Sequence, residues 1–240
     1  MKKIIPAETK KRINQIETLF EISKAIVSDK YVNEVLGLIV NIIAKTMNSK
    51  ICSILLLDEK KQELFIVATQ SLSEGYIKKP NLKIGQGISG IVVKGNRPVM
   101  SIDVTKDKRY MYPEIVKKEG IVSMLSVPIT IKGRVVGVIN NYTPQRHKFT
   151  DKEIKLLQTI SGQAALAIEN SKLMNELVST RELLQTRKSV ERAKGILMRE
   201  LSLNEEDAYR VIQKKSMDSS KPMKEIAEAI ILTYELKKQV

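Results

Sequence analysis

The stretch from Thr150 to Leu184 limits what this chain can fold into more than any other. Thr150-Asp-Lys-Glu153 has the spacing of a capping box, in which the threonine oxygen accepts from a free N–H and the glutamate reaches back. From there Ile154, Leu157, Ile160, Ala164, Ala167 and Ile168 recur at helical spacing. With no proline, and no glycine after Gly162, the pattern predicts one helix running past Leu173 and Leu177 towards Leu184. Leu173, Leu177, Thr180 and Leu184 alternate by four and three, as the seam of a dimeric coiled coil would. This helix separates a long part of the chain from a shorter one.

The long part reads as α+β. Residues 8–47 carry two apolar stripes at helical spacing: Ile13, Ile16, Leu19 or Phe20, with Ser23 or Ile26, and then Val35, Leu38, Ile39, Ile42 and Ile43. Ile51–Leu57 and Leu64–Ala68, broken by Asp58-Glu-Lys-Lys-Gln62, form one hairpin signal. Met124–Ile131 and Val135–Asn140, joined at Lys132-Gly133, form another. Between them residues 69–120 look long and irregular, with a short helix near Gly90 to Lys94. Two hairpins flanked by helices predict an antiparallel sheet with helices against it.

The short part predicts three helices. Val190, Ala193, Leu197 and Leu201 form the apolar stripe of the first, and basic side chains crowd the rest of its surface. Ala208, Val211 and Ile212 mark the second. After the break at Asp218–Pro222, Ile226, Ala229 and Ile230 or Ile231 mark the third. Such a unit either binds nucleic acid or is simply a small bundle. The net charge of +14 suggests an anionic partner, but residues 31–150 hold 18 Lys/Arg against 9 Asp/Glu, and residues 187–240 hold 12 against 9. The basic character is local: Arg181 to Arg199 holds six basic and two acidic residues.

Several functional classes recede. The single cysteine, Cys52, lies in an apolar strand run, which reads as a small core residue and rules out an internal disulfide framework. There is no apolar run of the roughly 18 residues needed to span a membrane and no signal-peptide pattern at Met1–Pro6, so a cytoplasmic protein is expected. Gly85-Gln-Gly-Ile-Ser-Gly90 spells GxGxxG, but the polar, proline-broken segment before it is not the buried strand of a dinucleotide site. Its glycines suit a tight turn into a short helix instead. The one histidine, His147, sits between Arg146 and Lys148, where exposure is expected rather than ligation. No metal site, no cofactor and no enzymatic constellation is expected.

The letters add a resemblance in each part. Ile84-Gly-Gln-Gly-Ile-Ser-Gly-Ile-Val92, Arg97-Pro-Val99, Ser126-Val-Pro-Ile129, Gly137-Val-Ile-Asn140 and Phe149–Leu157 together resemble a GAF domain, a small-molecule sensor fold. Arg187, Val190, Ala193-Lys-Gly-Ile-Leu-Met198, Ala208-Tyr209, Ser216-Met217 and Ala227 resemble the ANTAR module of bacterial antitermination regulators. Gly195 in mid-helix costs about 1 kcal/mol relative to alanine, which points to a close approach of another backbone or a ligand there. Periodicity and the two resemblances together divide the chain into an N-terminal helix (1–29), a GAF sensor domain (30–170), a helical linker (171–186) and an ANTAR RNA-binding domain (187–240). The resemblance further implies a ligand-responsive antiterminator that captures paired stem-loops in a nascent leader transcript and keeps a terminator from forming. The partners implied are RNA and an unidentified small molecule; the leucine seam adds a second copy of the chain, and the lack of a long apolar run leaves no membrane expected. Arg187, Lys188, Arg192, Lys194 and Arg199 are the expected phosphate or base contacts. Tyr209 either stacks on an unpaired base or belongs to the core. Lys194 and Arg187, seven residues apart, are expected to project together from an exposed face. A ligand-responsive DNA-binding regulator and a protein-binding adaptor are the other readings.

Overall fold

The computed structural model describes residues 32–71 and 73–238. The N-terminal helix expected before residue 30 lies outside the described residues. The elements are α1 (Val32–Met47), β1 (Ile51–Asp58), β2 (Glu63–Thr69), α2 (Glu74–Ile77), β3 (Leu82–Lys83), α3 (Gly87–Gly95), β4 (Val99–Ser101), α4 (Pro113–Glu119), β5 (Ser123–Ile131), β6 (Arg134–Thr143), α5 (Asp151–Leu201), α6 (Glu205–Ser219) and α7 (Met223–Lys238). They divide into two compact units at Ser171/Lys172, and α5 starts in the first and ends in the second.

The first unit is built on one antiparallel sheet of order β3-β2-β1-β6-β5-β4. Both expected hairpins are present. In the first turn, the Asp58 carboxylate accepts from the Lys60 and Lys61 N–H groups. In the second, Lys132 and Gly133 both have positive φ, as a two-residue hairpin turn requires. β1, β5 and β6 are largely buried on both faces because helices cover both sides. On one side α1 and the first half of α5 pack over Cys52, Ile54, Leu125, Val127 and Ile139. On the other, segment 69–120 folds over Ile51, Leu55, Met124, Val138 and Tyr142.

That segment is less irregular than its sequence suggests. It holds three short helices and the two edge strands β3 and β4, each too short to show a period of its own. The turn expected at the glycines is there: Gly85 and Gly87 have positive φ, and α3 opens at Gly87. A Cβ at Gly90 would lie 2.4 Å from the Lys83 carbonyl oxygen, so only glycine fits that approach. In α1 the buried side is Val35, Leu36, Ile39, Val40, Ile43 and Ala44, while Leu38, expected in the stripe, is exposed. The start of α5 is the capping box read from sequence: the Thr150 N–H donates to Glu153 Oε2 at 2.8 Å, and the Glu153 N–H to Thr150 Oγ1 at 3.3 Å. His147 is partly buried here rather than fully exposed, pairing with Glu153 at 3.0 Å and meeting Phe149 edge-on.

The second unit is the expected three-helix arrangement of the end of α5 with α6 and α7. Its core is Val190, Ala193, Ile196, Ala208, Ile212, Ile226 and Ala227. Asn204 caps α6 by accepting from the Asp207 N–H at 2.8 Å, and Glu205, Glu206 and Asp207 complement the positive helix end. Leu201 and Val211, expected in the core, are exposed instead. They line an open apolar groove of about 580 Å³ with Leu197, Ile226, Ile230 and Tyr234.

Candidate nucleic-acid interface and sensor pocket

The basic helix of the second unit separates its candidate residues sharply. Arg187 and Lys188 are exposed and have no ion-pair or hydrogen-bond partner among the described residues. Arg192 is tied to Glu235 of α7 at 2.5 Å, although both remain exposed. Arg199 donates from Nε to the Gly195 carbonyl at 3.1 Å, and its guanidinium lies 5.8 Å from the Tyr234 ring centroid. Tyr209 is 42% exposed, with its hydroxyl 4.0 Å from the Met223 sulfur, so it is a surface residue and not a core one.

Lys194 is the correction. Expected on an open face, it is 7% exposed, and its Nζ donates to Glu205 at 2.8 Å and to Glu191 at 3.0 Å. Helical periodicity places it correctly two turns from Arg187, but the acidic first turn of α6 folds over it and not over Arg187. The Glu205 and Glu191 carboxylates hold its ammonium above the ordinary lysine range, and Lys194 in turn holds the Glu205 carboxyl below its own. Lys194 therefore couples α5 to α6. At Gly195 a Cβ would meet nothing within 4 Å, so of the two approaches expected there, that of another backbone is not made within the unit.

The first unit carries a polar layer that the sequence did not single out. Ser53, Asn140 and Ser126 occupy facing positions on β1, β6 and β5. Asn140 Oδ1 accepts from Ser126 Oγ at 2.7 Å and from Ser89 Oγ of α3 at 3.1 Å. Ser53 Oγ is 2.9 Å from the Tyr76 hydroxyl, and the Tyr76 and Tyr142 rings meet edge-on at 6.1 Å. Burial raises the pKa of Tyr76 and Tyr142 and lifts Tyr110 to about 12. The signal that would have found this layer is the inward-facing Ser or Asn inside otherwise apolar strand runs. Cys52, on the opposite face, is fully buried, and burial raises its thiol pKa well above the usual value, which fits a core residue.

Comparison with known proteins places both units. The GAF domain family matches residues 30–169 and the ANTAR domain family residues 179–231. The chain thus belongs to the GAF-domain family and carries an ANTAR domain after the GAF fold. It is similar to the phosphoenolpyruvate-dependent phosphotransferase system protein of Escherichia coli K12, at 27% identity over 155 residues, 65% of this chain and 21% of that protein. It is also similar to the transcriptional regulatory protein PdtaR of Mycobacterium tuberculosis, at 42% identity over 65 residues, 27% of this chain and 32% of PdtaR. The chain therefore spans between a fifth and a third of the length of these relatives. In fold, the first unit is like the GAF domain of a Coxiella burnetii phosphoenolpyruvate-protein phosphotransferase, with a TM-score of 0.62 and 22% identity over 68% of this chain and 98% of that one. Among the described residues, no helix is long and apolar enough to cross a membrane.

Proposed function

We propose that this chain is a ligand-responsive transcription antitermination regulator. In this reading the ANTAR unit captures paired stem-loops in a nascent leader transcript, in the cytoplasm, and prevents a terminator hairpin from forming. The observation that carries it is an ANTAR helix presenting Arg187 and Lys188 as cations with no acidic partner among the described residues. Unpaired cations release counterions on meeting phosphate without first giving up an internal ion pair. Arg192 and Arg199 join the face by exchanging their present partners, and Tyr209 offers an exposed ring for stacking on an unpaired base. Lys194 contributes by holding α6 against α5.

The protein acts as a homodimer along α5, whose Leu173, Leu177 and Leu184 are all at least half exposed on one seam. The GAF unit supplies the signal by binding a small molecule under segment 69–120.

A salt-series titration of wild type and Arg187→Ala against tandem stem-loop RNA, scrambled RNA and duplex DNA tests the assignment. Arg187→Ala is expected to keep the fold and weaken stem-loop binding by about 1–3 kcal/mol for a base contact, or to weaken all RNAs alike with a shallower salt slope for a phosphate contact. Sequence-specific DNA binding that survives the substitution, with no preference for RNA, would promote a DNA-binding regulator in its place.

A further inference from the structure

Lys79 brings its ammonium to the inner layer of the GAF unit with no carboxylate partner among the described residues. Its Nζ lies 3.9 Å from the centroid of the Tyr76 ring and 5.9 Å from that of Tyr112. Burial lowers its pKa to about 8. Acids on the adjoining segments are engaged elsewhere: Glu74 pairs with Lys78 at 3.3 Å, and Glu119 accepts from Ser71 at 3.2 Å. Lys79, Leu82, Ser89, Tyr110, Met111 and Tyr142 are among the residues enclosing a space of about 10 Å³, room for about one water. Ser89 leads from that space to Asn140, whose Nδ2 is a buried donor with no partner in a residue 1% exposed.

The surplus at this place is one of donors and positive charge. A buried donor without an acceptor costs free energy, and so does a desolvated cation without a counter-charge. A cationic ligand would find the tyrosine faces already occupied by Lys79 and would repel it. An anion beside Lys79 supplies the missing counter-charge.

We propose that this space, widened, takes a small organic anion, a short-chain monocarboxylate in class, with its carboxylate on the Lys79 ammonium and its apolar body against Leu82 and Met111. This rests on the sensor reading of the GAF unit and names what the sensor recognises. The other titratable groups facing Lys79 or the space, Tyr76 against the ammonium and Tyr110, Tyr112 and Tyr142 along the wall, all have their pKa raised by burial and stay neutral through the pH range in which Lys79 titrates. Anion binding should therefore weaken as pH rises through about 8, and a bound carboxylate should raise the pKa of Lys79.

The test uses the full chain with formate, acetate, propionate and butyrate, against acetamide, propionamide and n-propylamine, followed by calorimetry and by NMR of ¹³Cε-labelled lysine. At least one carboxylate is expected to bind at pH 6.5, to bind about tenfold or more weakly at pH 9, and to move the Lys79 resonance to a higher titration midpoint. Lys79→Gln should weaken binding by about tenfold or more, as loss of a charge-assisted bond does, while Lys79→Arg retains it. No carboxylate binding, equal binding of the amides, or full binding by Lys79→Gln would overturn the proposal. Binding of n-propylamine alone would overturn the anion and leave the sensor reading intact. Intact carboxylate binding without any RNA capture would break the antitermination reading alone.

Discussion

Replacing Gly195 by alanine tests at once why the ANTAR helix keeps a glycine. The residue lies inside α5, away from either end, with no positive φ, so alanine adopts its backbone without strain. An added Cβ would meet nothing within 4 Å, so no packing penalty offsets the gain in helix propensity. Alanine is favoured over glycine in a helix interior by about 1 kcal/mol. For a cooperative unit of this size that corresponds to a rise in melting temperature of about 4–8 °C. Circular dichroism of the full chain at 222 nm measures it, and amide exchange over residues 191–199 localises it. If the open surface at Gly195 is where an RNA backbone approaches, the same substitution lowers stem-loop affinity by about tenfold or more while the protein becomes more stable. A lower melting temperature would refute the reasoning about open space. A higher one with unchanged RNA affinity would refute the RNA approach.

Lys194→Gln should act oppositely, lowering the melting temperature of the α5–α7 unit by a few degrees. Its effect on RNA should follow the loss of fold and vanish under conditions where the variant is fully folded. The charged pair is favoured by folding: Glu205's share is present above the ordinary glutamate value of 4.5 and is lost as pH falls through its lowered folded value. Lys194's share is present below the ordinary lysine value of 10.5 and fades only above it, so thermal scans between pH 5 and 3 should slope more steeply for wild type than for Lys194→Gln. Leu177→Asp should give a monomer in sedimentation at micromolar concentration. Leu177 exposes 65% of its surface, and covering that much of a leucine is worth about 1–2 kcal/mol per chain, so the two chains together lose about 2–4 kcal/mol before the cost of facing carboxylates. An unchanged dimer would move the interface elsewhere.

The sequence carried the parts of this fold that local chemistry determines. The capping box at Thr150, both hairpins and the three C-terminal helices follow from short-range spacing, and the structure contains them. What it hid depends on which distant segment arrives at a given surface. Lys194 and Arg187 are equivalent to a helical wheel, yet one is buried because Glu205, eleven residues on, folds over it. Leu201 and Val211 have core spacing but face a groove that no element of the unit fills. Lys79 read as a polar residue in a proline-broken loop, because the tyrosines that surround it come from positions up to 63 residues away in the chain. The Ser53–Asn140–Ser126 row became visible only with strand register.

The outer side of β5 has a further consequence. Past its pairing with β4 stands Pro128, which has no N–H to offer, and its carbonyl already accepts from Ser161 Oγ of α5 at 2.5 Å. A stray strand from another molecule finds no donor at that position and an acceptor already engaged, so edge-to-edge pairing there is disfavoured. Along that border, the sheet offers a second copy of the chain a poorer template for pairing than an unbroken strand edge would.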